Sequence, residues 1–337
     1  MFLGDLKISY KILITGVGSY LPINKCSNES LSNHVDTSDE WISKRSGIKN
    51  RHFVADNETT SDMAFFAACK AIKNAQIPKN NIDLIVLATT TPDNTFPSTA
   101  TLVQKKLEIS AVSFDVQAVC AGFIFALSIA KSMMSDGNYK NCLVIGADSM
   151  SKLLDWKDRS TSVLFGDGAG AVILQRYENK DGKFDDWGIL SNVIHSDGQF
   201  YDLLKTNGGV SISQKTGFIQ MEGKEVFKHA VEKLSSSIEE ALSASNKKIN
   251  ELDCLVPHQA NQRIILAVAD RLKIDVSKVV STVKDHGNTS AASIPLALEN
   301  AISSNKIFNG NLIGLNAIGG GLSWGASIIR IGKPNIL

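Results

Sequence analysis

Cysteine is scarce, and what there is suits no cross-link. The chain of 337 residues has five: Cys26, Cys69, Cys120, Cys142 and Cys254. An odd number with no C-x-x-C fits neither a disulfide framework nor a zinc site, so no metal is expected. A reducing, cytoplasmic setting is the simplest reading. Charge of one sign is also missing, since 35 Lys and Arg against 34 Asp and Glu leave +1. That excludes a bulk nucleic-acid binder, which needs a strongly basic domain, but not one local basic patch. Long apolar runs are absent. The longest, near residues 118–130, falls short of the roughly 20 residues a membrane helix requires. Residues 1–10 contain Asp5 and Lys7 and no apolar leader core, so no signal peptide and no membrane contact are expected.

What is present is ordinary globular composition, 43% hydrophobic and 20% charged. The length corresponds to two units of about 150 residues each. The chain also repeats itself. Asn80-Asn-Ile-Asp-Leu-Ile-Val86 resembles Asn250-Glu-Leu-Asp-Cys-Leu-Val256, and Asn141-Cys-Leu-Val-Ile-Gly-Ala147 resembles Asn311-Leu-Ile-Gly-Leu-Asn-Ala317, both at an offset of 170. One shared register predicts a duplicated fold, with halves at 1–180 and 181–337. Short runs rich in Ile, Val and Leu at 11–17, 84–88, 143–147, 171–174, 312–315 and 327–331 predict buried strands. Residues 61–75 and 224–242 carry helical spacing, with Thr60 or Ser61 as a cap for the first. A third helix, or a turn followed by a helix, is expected over 257–272. Residues 181–186 and 199–217 are Gly- and polar-rich and predict loops. The class is therefore α/β.

Four motifs carry chemistry. Cys120 follows a strand-like stretch and opens a small-residue helical run, where unpaired N–H groups favour a thiolate. A buried, inert thiol is the alternative, and it holds for the other four cysteines. His258, in Pro257-His258-Gln-Ala-Asn261, stands at the C-terminal end of a strand, where α/β sites gather. His34, His52, His195 and His229 lack that context and read as structural. Asn288, in His286-Gly-Asn288-Thr-Ser-Ala-Ala292, lies in the second half's counterpart of the Cys120 turn, with Ser290 opposite Cys120 at the same offset. An Asx-turn is its bland reading. Gly319-Gly320-Gly321 brings backbone N–H groups close to a ligand, as in an oxyanion hole, or else makes a tight turn. Gly16-Val-Gly18 lacks the rest of a dinucleotide fingerprint.

Together these residues resemble the β-ketoacyl-[acyl-carrier-protein] synthase III family of the thiolase superfamily. The resemblance also rests on Thr37-Ser-Asp-Glu-Trp41-Ile, Arg45-Ser-Gly-Ile, Phe96-Pro-Ser, Phe165-Gly-Asp-Gly-Ala-Gly and Gly319-Gly-Gly-Leu-Ser-Trp-Gly. It implies a thiolase-like, five-layered α-β-α-β-α homodimer. It implies acyl transfer from acetyl-CoA to Cys120, then decarboxylative condensation with malonyl-acyl-carrier protein, aided by His258 and Asn288. It further implies oxyanion donors at the Cys120 and Gly320 N–H groups. Thr37, Trp41, Arg45, Arg159 and Asn261 are implied as coenzyme A contacts, and Phe96 as a residue reaching the acyl pocket across the dimer. Lys228 and Arg263 are implied for carrier-protein docking, although Asp270 stands where relatives are basic. No cofactor is implied beyond the thioester substrates. A condensing enzyme for another acyl primer, a Cys-His hydrolase and a silent scaffold are the rival readings.

Overall fold

A computed structural model describes residues 10–180 and 182–333. The leader reading of residues 1–9 and the Asp181 position of the expected inter-half loop lie outside the described residues. The strands are β1 Tyr10–Tyr20, β2 Asn24–Ser27, β3 Asn50–Phe53, β4 Leu84–Ala88, β5 Val112–Val116, β6 Asn141–Ser149 and β7 Asp167–Glu178. They continue with β8 Gly188–Ser196, β9 Leu204–Thr206, β10 Ile219–Met221, β11 Cys254–Pro257, β12 Leu312–Gly319 and β13 Ser323–Arg330. The longer helices are α1 Asp39–Ser46, α2 Thr60–Ala75, α3 Thr99–Leu107, α4 Gly122–Ser135, α5 Gly223–Ala244, α6 Gln262–Arg271 and α7 Ser293–Ser303.

Two sheets repeat one plan. The first runs β1-β7-β6-β4-β5 and the second β8-β13-β12-β11. In each, the inner pair is parallel (β4 with β6, β11 with β12) and the next two pairings are antiparallel. The counterpart of β5 is reduced to an isolated parallel bridge, Leu255 to Val279.

Side-chain alternation along the strands builds the layers. In β4, Leu84, Val86 and Ala88 join a central cluster that includes Phe123, Leu127 and Ala130 of α4, Ile294 and Leu298 of α7, and Ile313 and Leu315 of β12. Ile85 and Leu87 face the other way, onto Met63 and Ala67 of α2 and Val103 of α3. On the second sheet, Leu312 and Ile328 face Leu234 and Ile238 of α5 and Ile265 and Val268 of α6. Strands buried on both faces explain the near-continuous apolar runs. The outcome is five layers: α2/α3, the first sheet, α4/α7, the second sheet, α5/α6. No helix among the described residues is long and apolar enough to cross a membrane.

Two expectations need correction. The cap of α2 is Thr59, whose hydroxyl receives the Asp62 N–H while the Asp62 carboxylate receives the Thr59 N–H. The turn followed by a helix expected over 257–272 is present, since Asn261 starts α6 by accepting from Ile264 N–H at 2.9 Å. Residues 199–217 are not plain loop. They hold β9, paired with β10, and a short helix, Val210–Ser213. Asn207 closes that hairpin through the Phe218 N–H at 2.8 Å, a side-chain bond that polar composition does not announce.

Candidate active site

Each half contributes one turn of the same shape to the middle of the molecule. In the first half, Val119 takes a left-handed φ of 49°, the turn Val119–Ala121 follows, and α4 begins at Gly122. In the second, Ser290 has φ 51°, the turn Ser290–Ala292 follows, and α7 begins at Ser293. The backbone therefore places Ala291, not Ser290, opposite Cys120, and the strand register of 170 slips by one residue before this turn. The turns are crossed over. The end of β12 lies against the Cys120 turn, since a Cβ on Gly319 would stand 2.7 Å from Cys120 N. Likewise β6 lies against the second turn, where a Cβ on Gly146 would collide with the Ala291 carbonyl.

Cys120, His258 and Asn288 are buried and line one cavity of about 70 Å³. This inner cavity widens on both sides. One recess, of about 480 Å³, is lined by Trp41, Arg45, Arg159, Lys224, Asn261 and Arg263 among others, and shares Phe227 and Asn261 with the inner cavity. The other, of about 330 Å³, is lined by Cys120, Val119, Leu204, Ile219 and Gly320. Cys120 thus stands between a basic mouth and a mainly apolar recess.

The electrostatics revise one expectation. Burial pushes the Cys120 thiol up to about 12, and nearby Asp148 adds to the rise, while Ser290 opposes it. The dielectric penalty outweighs the helix terminus. The His258 imidazole is pulled down to about 3 by burial, so the ring is neutral at pH 7. Its backbone is fixed by N–H donation to the Asn316 carbonyl at 2.8 Å, and its Nδ1 lies 2.6 Å from Ser293 Oγ. Asn288 Oδ1 accepts from Ser290 N–H at 2.9 Å, which leaves the amide NH2 as the group's donor. The Asn288 main chain exchanges bonds with Leu164 and Gly166 of the other half.

Three buried residues that motif reading did not single out hold this arrangement. Asp148, at the end of β6, accepts from Thr90 N–H at 2.7 Å and Thr89 Oγ1 at 3.1 Å in its own half, and from Ala291 N–H at 3.0 Å in the other. Burial raises its carboxyl above the usual range. Gln259 donates to the Pro257 carbonyl at 2.6 Å and accepts from Thr282 N–H at 2.8 Å, tying the His258 strand end to the segment leading to Asn288. Ser293 is the third. A lone carboxylate ending an apolar strand, as Asp148 does, was the available signal.

At the mouth, the guanidinium carbons of Arg45 and Arg159 lie 4.6 and 5.1 Å from the Trp41 ring centre. Arg159 also donates to the Asp36 carbonyl at 3.0 Å. Arg263 covers Phe227 at 5.4 Å. Lys228 is exposed on α5 and Thr37 is half-buried, and neither lines the recess. Phe96 is 83% exposed and stands apart from all three cavities.

Comparison with known proteins matches two family models, 3-Oxoacyl-[acyl-carrier-protein (ACP)] synthase III over residues 114–198 and its C-terminal counterpart over residues 242–331. The chain is 55% identical over 320 residues to the beta-ketoacyl-[acyl-carrier-protein] synthase III of Ehrlichia canis (strain Jake), covering 95% of this chain and 99% of that one. It is similar to the crystal structure of 3-oxoacyl-[acyl-carrier-protein] synthase III from Aquifex aeolicus VF5, at 45% identity and TM-score 0.88, over 95% of this chain and 99% of that one. It is also similar to the priming beta-ketosynthase from the R1128 polyketide biosynthetic pathway, at 32% identity and TM-score 0.89, over 98% and 99%.

Proposed function

The chain belongs to the 3-oxoacyl-[acyl-carrier-protein] synthase III family of thiolase-fold condensing enzymes, and from that premise we propose that it primes fatty-acid synthesis by joining acetyl-CoA to malonyl-acyl-carrier protein. The observation that carries this reading is the shared cavity of Cys120, His258 and Asn288, open to a basic mouth on one side and an apolar recess on the other. In this proposal the two thiolase-like halves divide at 180/181, the first supplying the sulfur and the second His258 and Asn288.

The thioester arm enters by the mouth. Trp41 stacks on the adenine of coenzyme A. Arg45 and Arg159 lie over the Trp41 ring, so the base displaces or slides beneath a guanidinium, which then turns to the phosphates. Asn261, which lines both the mouth and the inner cavity, meets the pantetheine arm, and Thr37 serves outside the recess beside Asp36. The Cys120 sulfur attacks the acetyl carbonyl, with the Cys120 and Gly320 N–H groups receiving the oxyanion. The thiol proton leaves with coenzyme A, which balances the step without a stable thiolate beforehand. Malonyl-acyl-carrier protein follows, steered by Arg263 and Lys228 towards the same mouth. His258 and Asn288 donate to its thioester oxygen as the carboxylate departs as carbon dioxide. The resulting enolate carbon attacks the acetyl group and expels the Cys120 sulfur, which takes up a proton from solvent to restore the thiol, leaving acetoacetyl-acyl-carrier protein. No electrons leave or enter the system, so the chemistry needs no redox cofactor. A homodimer is part of the proposal, because Phe96 is a large exposed aromatic that a second copy would cover. The setting is a reducing cytoplasm that keeps Cys120 free.

A second reading keeps the mechanism and changes the primer. The apolar recess of about 330 Å³ has room for more than two carbons, and the likeness to a polyketide priming enzyme supports that choice. Mass spectrometry after mixing with acetyl-, butyryl- and branched acyl-CoA tests both. Acetyl on the Cys120 peptide, lost in Cys120→Ser, is expected. A preferred longer or branched adduct moves the primer, and no adduct with any donor overturns the condensing reading.

A further inference from the structure

We propose that Ser293 is a positioning residue that selects the tautomer of His258, holding Nδ1 as an acceptor so that Nε2 carries the proton offered to substrate. The proposal rests on the condensing reading for its consequence in catalysis, but not for its structural content. A neutral imidazole has one donor nitrogen and one acceptor nitrogen, and the partner of one decides the role of the other. His258 is neutral at working pH, so this choice has to be made. Its Nδ1 has one close side-chain partner, the Ser293 hydroxyl at 2.6 Å, and both residues are nearly inaccessible to water, at 2% and 1% exposure. Water therefore does not compete for the bond.

The chemical type of this partner matters. A carboxylate here could only accept. It would fix the proton on Nδ1 and leave Nε2 as a base, the arrangement that activates a nucleophile or a water. A hydroxyl can donate. A hydroxyl can also accept, but when it donates it lets Nδ1 accept and leaves Nε2–H as the free donor of a ring that lines the cavity shared with Cys120 and Asn288. Asn288 is already set as a donor by a bond from its own turn, Ser290 N–H to Oδ1. Residues 288–293 thus orient both donors: the turn holds the Asn288 amide, and the first residue of α7 holds the imidazole. Two donors converging on one oxygen stabilise an enolate, and a base does not.

The test uses 15N-histidine-labelled full-length protein, with His258→Gln to assign the His258 signals. Wild type should show a protonated Nε2 and an unprotonated Nδ1, and Ser293→Ala should shift the ring towards the other tautomer. In single-turnover assays Ser293→Ala should acetylate Cys120 within about twofold of wild type. It should release carbon dioxide from malonyl-carrier protein roughly 10²-fold more slowly, the lower end of what a positioned proton donor contributes. Ser293→Thr, which keeps the hydroxyl, should recover most of the loss. A wild-type ring protonated at Nδ1 overturns the proposal whatever the kinetics. So does Ser293→Ala with an unchanged tautomer and equal losses in both half-reactions. Failure of wild type itself to take up acetyl would strike the condensing reading instead and leave the tautomer result standing.

Discussion

At the scale of single residues, the three side chains that share the inner cavity were legible as candidates because each sits in a compact local motif. Cys120 at a strand-to-helix turn, His258 after a strand-ending proline and Asn288 in a small-residue turn can be found without knowing what they touch. Their supports could not be found that way. Asp148 bonds to Ala291, 143 residues away, and Gln259 bonds across a gap of 23 to Thr282. The thiol itself was misjudged for a related reason. A helix terminus is visible in sequence, whereas complete burial is a property of the whole fold. The consequence is measurable. Because the Cys120 thiol is pushed up to about 12, its alkylation by iodoacetamide should rise about tenfold per pH unit from pH 7 to 10 without levelling. The rate must be read at the Cys120 peptide, since Cys69 is exposed. A plateau below pH 8 would show that the turn, not burial, sets the thiol.

At the scale of elements, the register of 170 holds for β4 and β11, and is one residue out at the turns and in β6 and β12, where Leu84 pairs with Cys142 but Cys254 pairs with Ile313. Within a strand register is kept because a slip reverses every side chain in a two-faced sheet. Connections are under no such constraint, and the extra residue lies in the stretch leading to Ser290. The crossed contacts of the turns with the central strands permit a paired experiment. Gly319→Ala drives a methyl against Cys120 N, and Gly146→Ala drives one against the Ala291 carbonyl. Gly319→Ala should cut acetylation of Cys120 by about 10²-fold, as expected when a reacting atom moves by about 1 Å. Gly146→Ala should instead weaken decarboxylation while leaving acetylation the less affected step. Each should lower stability by about 1–3 kcal/mol through overpacking, which urea titration monitors. Identical profiles from the two variants would show that the turns are not separable parts.

At the scale of the molecule, several buried ionisable groups set the response to acid. His258 and His286 are held down by burial to about 3 and about 4, below the ordinary 6.5. The unfolded chain therefore binds protons that the folded chain refuses. Their contribution is intact above pH 6.5 and is lost as pH falls towards 4 and 3. Asp167, raised to about 6 by burial while accepting from Ser151 and Val54, acts in the opposite sense between about 6 and 3.8. The two histidines cover the wider range, so the midpoint of urea unfolding should fall from pH 7 to pH 4.5. His286→Gln should flatten that fall, since its Nδ1 is buried without a partner. An unchanged slope in that variant would remove His286 from the account.

The narrow middle of the site has a kinetic consequence. A cavity of about 70 Å³ around the sulfur cannot hold two thioester arms at once. In the proposed mechanism both arms come through the same throat, past Phe227 and Asn261. The donor must vacate before the extender enters, so the two substrates take turns. Free coenzyme A then behaves as a rival of the carrier protein rather than of the acetyl group, and crowding at one doorway, not affinity for either guest alone, governs throughput.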